Sequence, residues 1–275
     1  MKLFAGLCAK IFSGFVFLLG LSQAKSRFAD ICGRPLVEPT LWPKYIGNAA
    51  PLRQKRFISN GNDASDGSFP YFARVIPIPG DIYGCGAGII SDQWVITADH
   101  CVDENSTRFV YTGIHEWNKH TEQMLVSEKL VFHPNVSRSS WKAEWDVALV
   151  KLNGTIVFND YVKPICLSRD TSFLTKDYPV MLPGLGYDAD KKIPSVTQEA
   201  LLYFAELIDH KVEAANIEQG NAREGDSGSP MYSKHNGLWY QVAVFAGGGQ
   251  ASAAGTSISA VCDWINDVTG EELCT

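Results

Sequence analysis

The sequence predicts an all-β fold, a sandwich or a pair of barrels, and three observations carry that prediction. From about residue 68 onward, short apolar or alternating runs are separated by turn residues, the spacing of strands rather than helices. The chain has 275 residues with 24 glycines and 13 prolines, long enough for one large β domain or two barrels and rich in turns. Helical periodicity is convincing only near the end, over Ser259–Val268, with Gly270 placed to stop it.

The expected strands, in order, are Tyr71–Ile78, Gly88–Ile96, Phe109–Thr112, Met124–Phe132, Val147–Leu152, Leu201–Ile208 and Trp239–Phe245. Hydrophobic residues make up 45% and charged residues 20%, which supports a buried core and argues against intrinsic disorder. No tandem repeat or low-complexity tract interrupts the pattern.

The first 24 residues read as an export signal. Lys2 and an apolar stretch from Ile11 to Leu21 precede Ser22-Gln23-Ala24, which offers small residues where a signal peptidase cuts. The stretch is short for a bilayer span, so an uncleaved anchor is the lesser alternative. Export implies an oxidising compartment. Of the seven cysteines, loss of Cys8 with the signal leaves six, an even number suited to disulfides. Three glycosylation sequons, at Asn105, Asn135 and Asn153, fit the same route.

Charge is unevenly distributed. The whole chain carries −6, but residues 25–56 hold seven basic residues against two acids. Residues 57–275 hold 15 basic against 28 acidic, a net −13. Such an acidic body argues against nucleic acid or an anionic membrane surface as the main partner. Residues 25–57 lack periodicity, contain four prolines and carry the basic run Arg53-Gln54-Lys55-Arg56, so they read as a prosegment with a processing site. A solvated basic loop is the plainer alternative.

Three blocks then follow in a fixed order. The first runs from Cys85 to Cys101, with His100 just before the second cysteine. The second is Glu144-Trp145-Asp146-Val147-Ala148-Leu149-Val150-Lys151-Leu152, an aspartate opening an apolar strand. The third is Glu224-Gly225-Asp226-Ser227-Gly228-Ser229-Pro230, a serine in a glycine-flanked turn. Together they resemble the His, Asp and Ser blocks of the chymotrypsin/trypsin-like serine proteases over roughly residues 58–265.

The resemblance implies two packed antiparallel six-stranded β-barrels with a short C-terminal helix. It implies peptide-bond hydrolysis through an acyl-enzyme, with no cofactor and no metal. A serine hydroxyl is a weak nucleophile until a base sits within hydrogen-bond reach, and an imidazole titrates in the useful range. Ser227 is thus expected as nucleophile, His100 as general base and acid, and Asp146 as the carboxylate that orients His100. The N–H groups of Gly225 and Ser227 would form the oxyanion hole. Ile58, at the start of Ile58-Ser59-Asn60-Gly61, would supply the amine that pairs with Asp226 after activation.

The family pattern also singles out a Cys85–Cys101 disulfide and a Cys32–Cys166 tether for the prosegment. Cys262 and Cys274 remain as a third pair without family precedent. The expected domain division is signal peptide 1–24, prosegment 25–57 and protease domain 58–275. Partners would be protein or peptide substrates, an activating protease and protein inhibitors outside the cell.

Departures from the family pattern bear on the site. Asp99 stands where a small alanine is usual, and could either sit near the triad or face solvent. Phe245 or Ala246 replaces the serine that usually supports the aspartate. The disulfide that braces the substrate pocket is missing. That pocket maps to Asn221, Glu224, Gly247 and Gly255, and an asparagine at 221 supplies no charge for a basic side chain. His115, His120, His133, His210 and His235 lack metal-ligand spacing and are expected in turns or at the surface. The alternative function is a catalytically silent homologue that binds proteins. A purely structural β protein would leave the three blocks as coincidence.

Overall fold

The computed structural model describes residues 27–42, 62–79, 83–116, 123–137, 144–187, 192–215, 225–249 and 252–275. The apolar N-terminal stretch, the basic run at 53–56, Ile58, His120, Asn221 and Glu224 lie outside these residues.

Six antiparallel strands close the first barrel: β2 (Phe72–Ile76), β3 (Cys85–Ile89), β4 (Trp94–Thr97), β5 (Phe109–Thr112), β6 (Gln123–Phe132) and β7 (Ala148–Leu152). Its strand order is β2-β3-β4-β7-β6-β5. The second barrel is built from β8 (Pro179–Gly184), β9 (Gln198–Ile208), β10 (Lys211–Ala215), β11 (Pro230–His235), β12 (Leu238–Gly249) and β13 (Ser252–Ser257). It closes through the pairing of β8 with β9, and a two-residue strand β1 (Asn62–Asp63) adds to the free edge of β9. Helix α1 (Ile258–Thr269) follows β13 without a break. Gly270, at φ 70°, ends it in the left-handed conformation that a Cβ disfavours.

Strand periodicity explains how the barrels pack. Successive side chains point to opposite faces. In β7, Ala148, Val150 and Leu152 fill the first barrel while Leu149 faces the other way. In β8, Val180 and Leu182 fill the second barrel while Met181 turns outward. The outward set joins Tyr71, Phe72, Tyr232, Trp239 and Val244, with Ile258, Val261 and Ile265 of α1, in one cluster spanning both barrels. Strands at this junction are buried on both faces, which is why they read as continuous apolar runs. Each fully buried aliphatic side chain contributes about 1.5–3 kcal/mol.

The segment expected at Gly88–Ile96 is two strands, because Ile90–Gln93 turn the chain between β3 and β4. Strands β8, β10, β11 and β13 are additional to the expected set. Pro179–Gly184 and Ser252–Ser257 have little β-branched character and pair through tertiary context.

Residues 27–42 form an arm laid across the body. Cys32–Cys166 anchors it, Gly33 bonds to Pro164 and Trp239 through its backbone, and Trp42 packs edge-on against Trp239 at 4.5 Å. Glu38 meets Lys234 and the Trp239 indole N–H. Thr40 and Leu41 donate their N–H groups to the buried carboxylate of Glu199 at 3.2 and 2.9 Å. Burial raises the Glu199 pKa to about 7, against the opposing effect of the Leu41 and Thr40 amides. Disulfides Cys85–Cys101 and Cys262–Cys274 complete the set. Among the described residues, no helix is long and apolar enough to cross a membrane.

Candidate active site

The candidate site lies where the two barrels meet. Strand β4 runs out of the first barrel into a single 3-10 turn, Asp99–Cys101, whose end is stapled to β3 by Cys85–Cys101. This turn presents His100, whose side chain is 42% exposed. Asp146 precedes β7 and is buried. Its Oδ2 meets His100 Nδ1 at 2.7 Å, and its Oδ1 accepts the His100 backbone N–H at 3.1 Å. Two contacts to one carboxylate fix both the ring and the turn that carries it. The Asp146 hydrogen bond raises the His100 pKa above its ordinary value. Burial works in the opposite direction, and the charges of Asp146 and Asp99 add to the rise. Asp99 is itself buried, so the solvent-facing alternative is set aside.

Ser227 stands at a tight turn before β11. Gly225 and Gly228 on either side have φ of 95° and 75°, a region where L side chains are strained. A Cβ on Gly228 would lie 2.2 Å from Thr97 Oγ1 and 2.4 Å from the Gly86 carbonyl. The glycine therefore lets the serine turn press against the end of β4, three residues from His100. The Gly86 N–H donates to the Ser227 carbonyl at 2.8 Å, and the Gly228 N–H to the Phe245 carbonyl at 2.7 Å. Among the described residues, the N–H groups of Gly225 and Ser227 donate in no hydrogen bond, and none joins the Ser227 hydroxyl to His100.

A model of the trypsin family matches residues 58–265. The chain belongs to the trypsin family. As a trypsin-family member it has a serine protease-type domain, a class whose substrates are proteins. The structure brings His100 and Asp146 into contact and holds the Ser227 turn against the strand that leads to His100.

Asp226 is fully buried, and its Oδ1 accepts the Gly186 N–H at 2.8 Å. A Cβ on Gly184 or Gly186 would come within 2.1 or 2.5 Å of this carboxylate, so both positions are closed to larger residues. Of the residues expected to line the pocket, Gly247 has open space where a Cβ would point. Gly255 is pressed against Val244, whose carbonyl lies 2.3 Å from such a Cβ, and it pairs with Phe245 across β12 and β13. Phe245 fills the second barrel's core, so no hydroxyl there reaches Asp146; Thr256 Oγ1 instead donates to the Asp146 carbonyl at 3.3 Å. Sequence reasoning passed over Thr256, because β13 is a strand of small residues with no motif to mark it.

Cys85, His100 and Cys101 place potential metal-ligand atoms within 4.8 Å of one another. Both sulfurs are spent in a disulfide and offer no thiolate, so this group does not hold a metal. The sequon residues Asn105, Asn135 and Asn153 are all exposed.

The expectation of turn or surface histidines holds for His210, which lies in the turn between β9 and β10, but needs correcting at His133, which is buried. His133 is buried and His210 is half-buried, and the two stack on opposite faces of Trp145 with centroids 4.5 and 4.1 Å away. Trp145 itself has φ 55°, a left-handed conformation costing a bulky residue about 1–2 kcal/mol. Spacing along the chain does not reveal that these two rings are brought together from different barrels.

Proposed function

We propose that the chain is a secreted serine endopeptidase made as a zymogen. The observation that carries this reading is the buried Asp146 carboxylate at 2.7 Å from His100 Nδ1, with the Ser227 turn packed beside the strand that leads to His100. Asp146 holds the imidazole with Nδ1 protonated, leaving Nε2 as the base. His100 takes the Ser227 proton as Oγ attacks the substrate carbonyl, and the resulting oxyanion is received by the N–H groups of Gly225 and Ser227. His100 then gives that proton to the departing amine, and the acyl group left on Ser227 is released by water through the same steps. No cofactor enters this chemistry.

In this reading residues 1–24 are the export signal, 25–57 the prosegment and 58–275 the protease domain. Three disulfides are consistent with an oxidising compartment. An activating protease cuts near Arg56. The freed amine at or near Ile58 then pairs with Asp226, whose backbone setting beside Gly184–Gly186 would re-form the substrate side of the cleft. The site then takes exposed segments of protein substrates, and protein inhibitors would occupy the same cleft.

Labelling with a fluorophosphonate tests the proposal. Activated protein should label and cleave protein, and Ser227→Ala or His100→Ala should abolish both while leaving the fold intact. Failure of the activated, folded protein to label would favour the protein-binding, catalytically silent reading.

A further inference from the structure

We infer that the His133–Trp145–His210 ring stack is the device that positions Asp146 against His100, which makes Trp145 a positioning residue for the proposed triad. The inference rests on the triad reading given above.

The Trp145 carbonyl accepts the Val147 N–H at 2.8 Å, closing a three-residue turn with Asp146 at its apex. The direction in which Asp146 points therefore depends on the backbone of Trp145. That backbone is left-handed, at φ 55°, where glycine or asparagine would sit with less strain. Something must hold a tryptophan there, and its ring is held on both faces.

His133 lies in the connection between β6 and β7 of the first barrel, with Trp264 of α1 edge-on to it at 5.0 Å. His210 lies in the turn between β9 and β10 of the second barrel, where its carbonyl accepts the Ser257 N–H at 2.8 Å. Thr256, the next residue back, donates to the Asp146 carbonyl. Both barrels thus grip the segment Trp145–Asp146, by ring stacking on one residue and by a hydroxyl on the next. The interplanar angles of 7° and 8° describe a parallel three-ring stack rather than incidental contact. Burial is the main cause lowering the pKa of both histidines, so both rings are neutral at and above their ordinary pKa and stack without mutual repulsion. A purely structural tryptophan would need neither the left-handed backbone nor a place directly before Asp146.

The experiment is an NMR titration of His100 in the folded full chain, for the wild type and for Trp145→Ala, Trp145→Phe and His210→Ala. With the stack intact, His100 titrates above its ordinary value of about 6.5. In Trp145→Ala and His210→Ala the midpoint should fall toward that value, because the Asp146 carboxylate drifts from Nδ1. Trp145→Phe keeps a ring between the imidazoles and should retain the wild-type midpoint. In activated protein kcat should fall by roughly ten- to a hundredfold in Trp145→Ala with KM little changed, and recover in Trp145→Phe. An unchanged His100 midpoint in folded Trp145→Ala overturns the inference. If that variant does not fold, an unchanged midpoint in His210→Ala does so. Wild-type protein without peptidase activity would refute the proposed function alone, since the titration needs no turnover.

Discussion

The Leu41 N–H donates to the buried Glu199 carboxylate at 2.9 Å, across 158 residues of sequence. A segment ahead of the proposed cleavage point is thereby part of the folded body. The register explains why this position matters: Glu199 lies on β9 between Asn62 of β1 and Pro183 of β8. The arm thus caps a strand that pairs with both β1 and the end of β8, which leads into the Gly184–Gly186 segment beside Asp226.

Burial of Glu199 beneath this arm should make the stability of the fold pH-dependent. The folded pKa of Glu199, about 7, exceeds its ordinary value of 4.5 because burial disfavours the charge. Its contribution to stability is complete below 4.5 and declines as pH rises through 7. Glu199→Gln, which keeps an oxygen acceptor for Leu41, should therefore be neutral or mildly destabilising at pH 4.5 and stabilising by roughly 1–3 kcal/mol at pH 8. Denaturant melts at the two pH values check this, and a stability difference independent of pH refutes it.

Activity should fall on the acid side with a midpoint above 6.5. The Asp146 hydrogen bond raises the His100 pKa, and only the neutral imidazole accepts the Ser227 proton. The kcat/KM profile of activated protein measures the midpoint directly. Asp146→Asn should cut kcat by about 10⁴-fold by reversing the tautomer. An acid limb centred at or below 6.5 would contradict the assigned contact.

Cleavage after Arg56 should leave Phe57 as the first new terminus, with Ile58 exposed by a second cut or with Phe57 accommodated. N-terminal sequencing of the active form distinguishes these outcomes. The arm should stay attached through Cys32–Cys166 and separate only on reduction. Active protein still uncleaved between residues 25 and 57 would rule out the zymogen mechanism.

Primary specificity should be chymotrypsin-like or broad, for uncharged side chains. Asn221 offers no charge to pair with a buried cation, and Gly247 leaves open space along β12. Profiling on a peptide library tests this, and cleavage confined to Lys and Arg sites would show that the pocket does not map through Asn221.

Much of this protein is legible in its sequence where the determinant is local. Short apolar runs between turn residues specify strands, so the β class and the positions of β5, β6 and β7 follow from residues a few positions apart. Cys85, His100, Asp146 and Ser227 stand in blocks whose neighbours are tied to their geometry, such as Gly225 and Gly228 at positive φ. The C-terminal helix ends at Gly270 for the same kind of reason.

Tertiary structure decided what depends on residues distant in sequence. Strands β8 and β13 form because partners already in the sheet supply their hydrogen bonds, which weak intrinsic propensity does not announce. Thr256 reaches Asp146 across 110 residues, and His133 and His210 meet Trp145 from different barrels. Residues 25–57 read as a prosegment without periodicity, and the contacts that order residues 27–42, beyond the expected Cys32–Cys166 tether, are backbone pairing and the Glu199 carboxylate. Periodicity reports burial of a repeating element against a core. An extended arm gains its order from individual contacts with a surface that exists only after the barrels have closed, and no pattern along the chain encodes it.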